Sequence, residues 1–165
     1  MNNSVTFEPG ETTTSQQHNW ILFRYAEILL NYAEAMVNAY GDPDYTGSYS
    51  LSARDAVNQV RNRGDVKMPA YPTDMKKDAF LKRLRNERRV EFAFEGQRFW
   101  DLRRWKELDN MQNIYKVKVV KQTDGTIQYT KVLHATYNIQ DKMYFYPISN
   151  TELFKNHKLV QNTGW

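Results

Sequence analysis

The chain has 165 residues, of which 41% are hydrophobic and 25% charged, with a net charge of +4 and no cysteine. This length suits a single domain that buries about two-thirds of the surface its unfolded form exposes, and the balance of apolar to charged residues excludes a disordered chain. No disulfide framework, thiolate nucleophile or Cys-based zinc site is possible, and no apolar run reaches the roughly 18 residues of a membrane-spanning helix.

Residues 1–18 are polar, with Pro9, Gly10 and a Thr/Ser/Gln run, and read as an extended lead-in. They lack the basic segment and apolar run of a secretion signal. "NWILFRYAEILLNYAEAMVNAYG" follows, with Tyr25, Ile28, Leu29, Tyr32, Met36 and Ala39 at helical spacing and Gly41 placed as a stop. After the turn-rich "GDPDYTGSYS", Ala53, Ala56, Val57 and Val60 predict a second helix ending at Gly64. A helix pair is expected over 20–64.

"MPAYPTD" breaks the pattern, and Thr73 or Asp74 can cap a third helix from about Met75 to Phe94. Gly96 interrupts it and permits a change of direction into a fourth helix, Gln97 to Trp105. "YKVKVVKQTDGTIQYTKV" alternates apolar and polar residues around Asp124-Gly125, which predicts a β-hairpin over 114–132. Its Lys116, Lys118, Lys121 and Lys131 are expected to be solvated, which also protects an edge strand. Residues 146–165 read as irregular, with a short helical turn near Asn150 to Phe154. The fold class is mainly α, and 1–165 is read as one domain.

The stretch "ERRVEFAFEGQRFWDLRRW", residues 87–105, holds five arginines, four carboxylates and five aromatics. Residues 76–105 carry 10 Lys or Arg against 5 Asp or Glu, so this segment accounts for the whole positive excess. A nucleic-acid surface would leave its arginines without matching carboxylates, because unpaired charge displaces counterions from phosphate. Here Glu87, Glu91 and Glu95 repeat at four, Arg88 stands three before Glu91, and Arg98 three before Asp101. The stripe begun by Phe80 and Leu84 reaches Arg88 and Glu91, so charge occupies core positions. These residues are expected to form semi-buried ion pairs, with Phe92, Phe94, Phe99, Trp100 and Trp105 packed around them and no nucleic acid as partner.

Four blocks, "RYAEILLNYAEA", "AVNQVRNRG", "RNERRVEFAFEGQRFWDLRRW" and "YPISNTELFKNHKLVQNTGW", resemble in order the C-terminal region of SusD/RagB-type proteins, surface lipoproteins of Bacteroidetes nutrient uptake. The resemblance implies tetratricopeptide-like helix pairs. It also implies non-catalytic capture of a nutrient, most often an oligosaccharide, for a SusC-like TonB-dependent transporter at the outer membrane. A scaffold docking on the transporter, or capture of peptide instead of glycan, remains open. Family members start with a signal peptide and a lipid-bearing cysteine. Neither is in this sequence, which predicts a C-terminal portion of a longer precursor anchored only through a lipid carried elsewhere.

Catalysis finds little support. His18, His134 and His157 are far apart, no nucleophile or zinc motif occurs, and arginines beside Glu87, Glu91 and Glu95 favour ionised carboxylates over a raised-pKa acid. Asp42, Asp44 and Gly47 fit three places of a calcium loop, but Ala53 stands where the bidentate Glu belongs. No metal or cofactor is expected. Sugar binding requires exposed rings to stack on a pyranose, and Tyr45, Tyr49 and Tyr71 are the loop candidates. Trp20, Trp100 and Trp105 are assigned to the core.

Overall fold

A computed structural model describes residues 22–64 and 66–165. They hold five α-helices, α1 (Tyr25–Tyr40), α2 (Ala53–Arg61), α3 (Lys77–Glu91), α4 (Gln97–Arg104) and α5 (Asn150–Lys155), and two strands, β1 (Asn113–Lys121) and β2 (Ile127–Thr136). The fold is mainly helical. It groups into two compact units, one ending at Asn86 and one beginning at Glu87.

In the first unit α1 packs on α2. Gly41, in the left-handed conformation at φ 77°, ends α1 and donates its N–H to Val37. Ser52 starts α2 with a capping box, its side chain accepting from the Asp55 N–H while Asp55 accepts from the Ser52 backbone. The buried face of α1 runs through Leu29, Leu30, Ala33, Met36 and Val37. That stripe is rotated from the expected one, leaving Tyr25 and Ile28 exposed. The small side chains of Ala33, Ala53 and Ala56, all fully buried, allow two helix backbones to approach closely. A stripe of tyrosines would hold them apart.

The loop after α2 is tied back onto it. Met68 N–H donates to Arg61 O at 2.9 Å, Arg61 Nε donates to Pro69 O at 2.7 Å, and Tyr71 N–H donates to Asn58 Oδ1 at 2.9 Å. Phe80 and Leu84 of α3 are buried as their spacing predicts.

The second unit starts within α3. Arg88 is 3% exposed and meets Asp101 of α4, also 3% exposed. Its Nε donates to Oδ2 at 2.9 Å and its Nη2 to Oδ1 at 3.1 Å, a two-pronged fit that only a planar guanidinium makes. Arg104 Nε donates to the same Oδ1 at 2.9 Å. Asp101 therefore takes Arg88 and Arg104, whereas the i,i+3 spacing pointed to Arg98. Arg98 instead lies over the Trp105 ring at 5.9 Å, and burial is the main cause holding its pKa below the ordinary value. Glu87 and Glu91 are half-buried and Glu95 is exposed.

α3 ends earlier than expected, at Glu91, and the turn into α4 uses two left-handed residues, Phe94 at φ 67° and Gly96 at φ 77°. Phe92 is buried, but the turn carries Phe94 out to full exposure, so it is not part of the core as its sequence position suggested. β1 and β2 pair antiparallel in the expected place, with a bulge after Ile114. The connection is longer than a two-residue turn: Gln122 N–H donates to Thr126 O at 2.8 Å, and Asp124 caps Thr126. All four hairpin lysines are exposed.

The closing "QNTGW" works as a backbone clamp. Gln161 accepts from Ile148 N–H at 2.8 Å and donates to Ile148 O at 2.9 Å, Asn162 donates to Tyr146 O, and the Trp165 indole donates to Lys142 O and Phe145 O. One segment thus satisfies backbone polar groups of another without forming a sheet with it.

Replacing Arg88 with Ala leaves the buried Asp101 carboxylate with only the half-exposed Arg104, and is expected to cost about 3–5 kcal/mol. Arg88→Lys should recover a minor part, since an ammonium cannot form both bonds. Urea unfolding of the two variants checks this; near-wild-type stability of either contradicts it.

Candidate functional site

Three tyrosines cluster where the first helix pair turns. Tyr40 is the last residue of α1, and Tyr45 and Tyr49 lie in the connection to α2. The rings of Tyr40 and Tyr45 stack at 4.2 Å and 23°, Tyr49 stands 6.1 Å from Tyr40 at 55°, and the hydroxyls of Tyr40 and Tyr49 are 3.2 Å apart. Exposures of 44%, 38% and 47% leave much of each ring in solvent. The result is an aromatic corner with one hydroxyl pair at its edge. That hydrogen bond holds the Tyr40 pKa above its ordinary value.

The sequence between Gly41 and Ser52 builds this corner. Pro43 is fully buried and its carbonyl accepts from the Arg54 N–H at 3.0 Å. Asp42 Oδ1 accepts from the Asp44 N–H at 3.0 Å, shaping a tight turn. Arg54, 4% exposed, fixes the turn from below. Its Nε and Nη2 donate to the two oxygens of Asp44 at 2.6 and 2.9 Å, while Nη1 donates to Pro72 O and Nη2 reaches Met75 O at 3.1 Å. One buried side chain thereby joins the tyrosine loop, α2 and the loop before α3.

Arg54 beside it holds the Asp44 carboxyl below its ordinary pKa, against a partial burial that would raise it. Because the folded-state value is the lower one, the pair's contribution is complete above about pH 4 and is lost as pH falls through the folded value. Asp44 is thus engaged with arginine. Among the described residues, no group of three or more His, Asp or Glu is placed to hold a metal ion.

Gly47 completes the loop with φ 51°. A Cβ there would lie 2.4 Å from the Tyr45 hydroxyl oxygen and 2.7 Å from its ring. Tyr45 rests on this glycine, and only a residue without a side chain leaves that space.

Of the three tyrosines expected from the sequence, the structure brings Tyr45 and Tyr49 together and places Tyr71 elsewhere. Tyr71 is 2% exposed, packed edge-on against Phe80 at 5.5 Å with the guanidinium of Arg83 over its ring at 4.6 Å. Its position between two prolines suggested a loop tip, but the loop folds back onto α2 and buries the ring. Tyr40 was missed because it reads as the end of a helix. Its placement directly before the stop glycine was the available signal.

A second aromatic group lies in the second unit. Phe99, Trp100 and Tyr146 have centroids 5.0–6.2 Å apart, and Arg103 lies 3.5 Å over the Phe99 ring. Trp100 is more than half exposed and so is not a core residue as expected. Trp20 and His18 lie outside the described residues.

This mainly helical architecture, with a helix pair and a short antiparallel hairpin, has clear relatives. The model of the SusD family matches residues 2–165, and the chain belongs to that family. SusD-like protein P38 of Formosa agariphila is 37% identical over 90 residues, and SusD-like protein P2 of the same organism 31% identical over 102. These alignments cover 51% and 59% of this chain but 16% and 19% of the relatives. The crystal structure of a SusD-like protein from Bacteroides fragilis superposes with a TM-score of 0.72 at 34% identity, over 89% of this chain and 26% of that one. The chain thus spans about a quarter or less of the length of the relatives it matches. No described helix is long and apolar enough to cross a membrane.

Gly47→Ala should distort the tyrosine corner while leaving the fold intact. The expected outcome is loss of the short ring-to-ring contacts between Tyr40 and Tyr45 in NMR, with unchanged helical circular dichroism. Unaltered ring contacts would contradict the role given to this glycine.

Proposed function

We propose that this chain contributes to non-catalytic capture of a nutrient, an oligosaccharide, at the cell surface. The carrying observation is the half-exposed corner of Tyr40, Tyr45 and Tyr49. Aromatic faces offer apolar area with little conformational entropy to lose, and a pyranose presents a matching C–H face. The Tyr40–Tyr49 hydroxyl pair supplies polar partners beside it. Membership of the SusD family supports a nutrient-binding role, and the family implies a SusC-like TonB-dependent transporter as the recipient of the ligand. The whole protein then sits at the outer membrane as a lipid-anchored surface protein.

A non-catalytic role agrees with the carboxylates. The Asp44 carboxyl is held below its ordinary pKa by Arg54, whereas acid catalysis needs a carboxyl whose pKa is raised. Docking on the transporter is favoured as an additional role by the exposed Tyr25 and Ile28 of α1. Peptide capture is the competing ligand class.

Isothermal titration of the chain against plant, host and microbial oligosaccharides and mixed peptides tests this reading. Binding of at least one glycan is expected, weakened about five- to tenfold by Tyr49→Ala, given roughly 1 kcal/mol for a ring contact. Peptide binding alone, or glycan binding indifferent to Tyr40, Tyr45 and Tyr49, contradicts it.

A further inference from the structure

The outward face of α2 is lined with amides. Asn58, Gln59 and Asn62 follow Asp55 at steps that keep all four on one side of the helix, opposite the buried Ala56, Val57 and Val60. The segment 68–71, tied to α2 by the three hydrogen bonds described above, forms a facing wall. Between them runs a groove of about 770 Å³, lined by these four side chains together with Leu51 and Met68.

We infer that this groove is a second subsite, which reads the hydroxyls of a neutral oligosaccharide. The inference rests on the carbohydrate reading of the tyrosine corner and specifies the sugar. Gln59 and Asn62 are exposed, and each offers a carbonyl acceptor and two N–H donors. Asn58 has its oxygen occupied by the Tyr71 N–H, which leaves its amino group as a donor. A pyranose hydroxyl both donates and accepts, so an amide can satisfy it in either direction. Met68 and Leu51 add apolar contact for the ring's C–H face.

Charge selects against acidic sugars. Among the described residues no lysine or arginine lines the groove, and the one charged group there is the carboxylate of Asp55, fixed by Ser52 N–H and hydroxyl. A uronate or sulfate would meet like charge without a compensating cation. An extended peptide is also poorly served. It would pair with a row of free backbone groups, but in the facing wall the N–H groups of Met68 and Tyr71 are already used and Pro69 has none.

Groove and tyrosine corner adjoin. Tyr49 and Leu51 are two residues apart, so their Cα atoms lie within about 7 Å of one another. An oligosaccharide long enough to reach both is the ligand this proximity suits.

The test is NMR titration of the labelled full chain with neutral hexasaccharides (malto-, cello- and xylo-series), an oligogalacturonate of equal length, and a neutral alanine pentapeptide. A neutral sugar is expected to shift the side-chain amide signals of Asn58, Gln59 and Asn62 as well as the Tyr49 ring. The double variant Gln59→Ala/Asn62→Ala, both exposed and outside the core, should bind it about tenfold more weakly, as two lost hydrogen bonds imply. If the ring responds but the amides and the double variant do not, the groove is overturned and the tyrosine corner stands. Amide shifts without ring shifts would keep the groove and overturn the corner. Stronger binding of the galacturonate or the pentapeptide overturns the ligand class, and no response to any probe overturns both.

Discussion

The arrangement of the first unit depends on one buried arginine. Arg54 emerges from the start of α2 into a site with almost no solvent, where an unpaired cation would cost several kcal/mol. It meets the Asp44 carboxylate and backbone carbonyls of the loop before α3, and the Phe80 ring lies 5.7 Å from its guanidinium carbon. An apolar side chain of similar volume would fill the space but could not satisfy those carbonyls or orient Asp44. Two loops without regular structure are thereby held to one helix, and the loop that Asp44 belongs to carries Tyr45 and Tyr49. The aromatic corner follows from the charge pair.

The same device recurs. Arg61 holds the 69–71 segment to α2, and Arg88 joins the end of α3 to Asp101. Around them three further arginines of the 87–105 stretch lie against rings, Arg98 5.9 Å and Arg104 4.6 Å from Trp105 and Arg103 over Phe99. Arginine suits this because its plane stacks while its edge donates hydrogen bonds. A stretch with five arginines and five aromatics is therefore largely occupied with itself. Glycine and small residues play the opposite part, giving way where rings or backbones must come close, as Gly47 does for Tyr45.

Helix positions were legible because they depend on local periodicity, and α1 through α4 lie within a few residues of where spacing puts them. The face that α1 buries was not legible. Its tyrosines and isoleucine suggested one stripe, and packing selected the neighbouring one around Ala33. That charge would occupy core positions on α3 could be read from the stripe through Phe80, Leu84 and Arg88. The partner of Arg88 could not, because Asp101 comes from another helix after a turn whose angle is set by Phe94 and Gly96. Tyr71 shows the same limit: a ring between prolines reads as a loop, and the hydrogen bonds that tie the loop to α2, among them Tyr71 N–H to Asn58, reveal that it folds inward. Tyr40 became part of the corner through a stacking contact across five residues that helix periodicity does not register.

The central claim is that the Arg54–Asp44 pair holds the tyrosine corner together. Its most direct test is the nuclear Overhauser contact between the Tyr40 and Tyr45 rings, measured in the wild-type chain and in Asp44→Asn, which removes the charge but keeps the shape. Strong contact in the wild type, clearly weakened in the variant while α1 and α2 stay folded, is the predicted result. Equal contact in both proteins, or none in the wild type, would show that the corner does not depend on this pair.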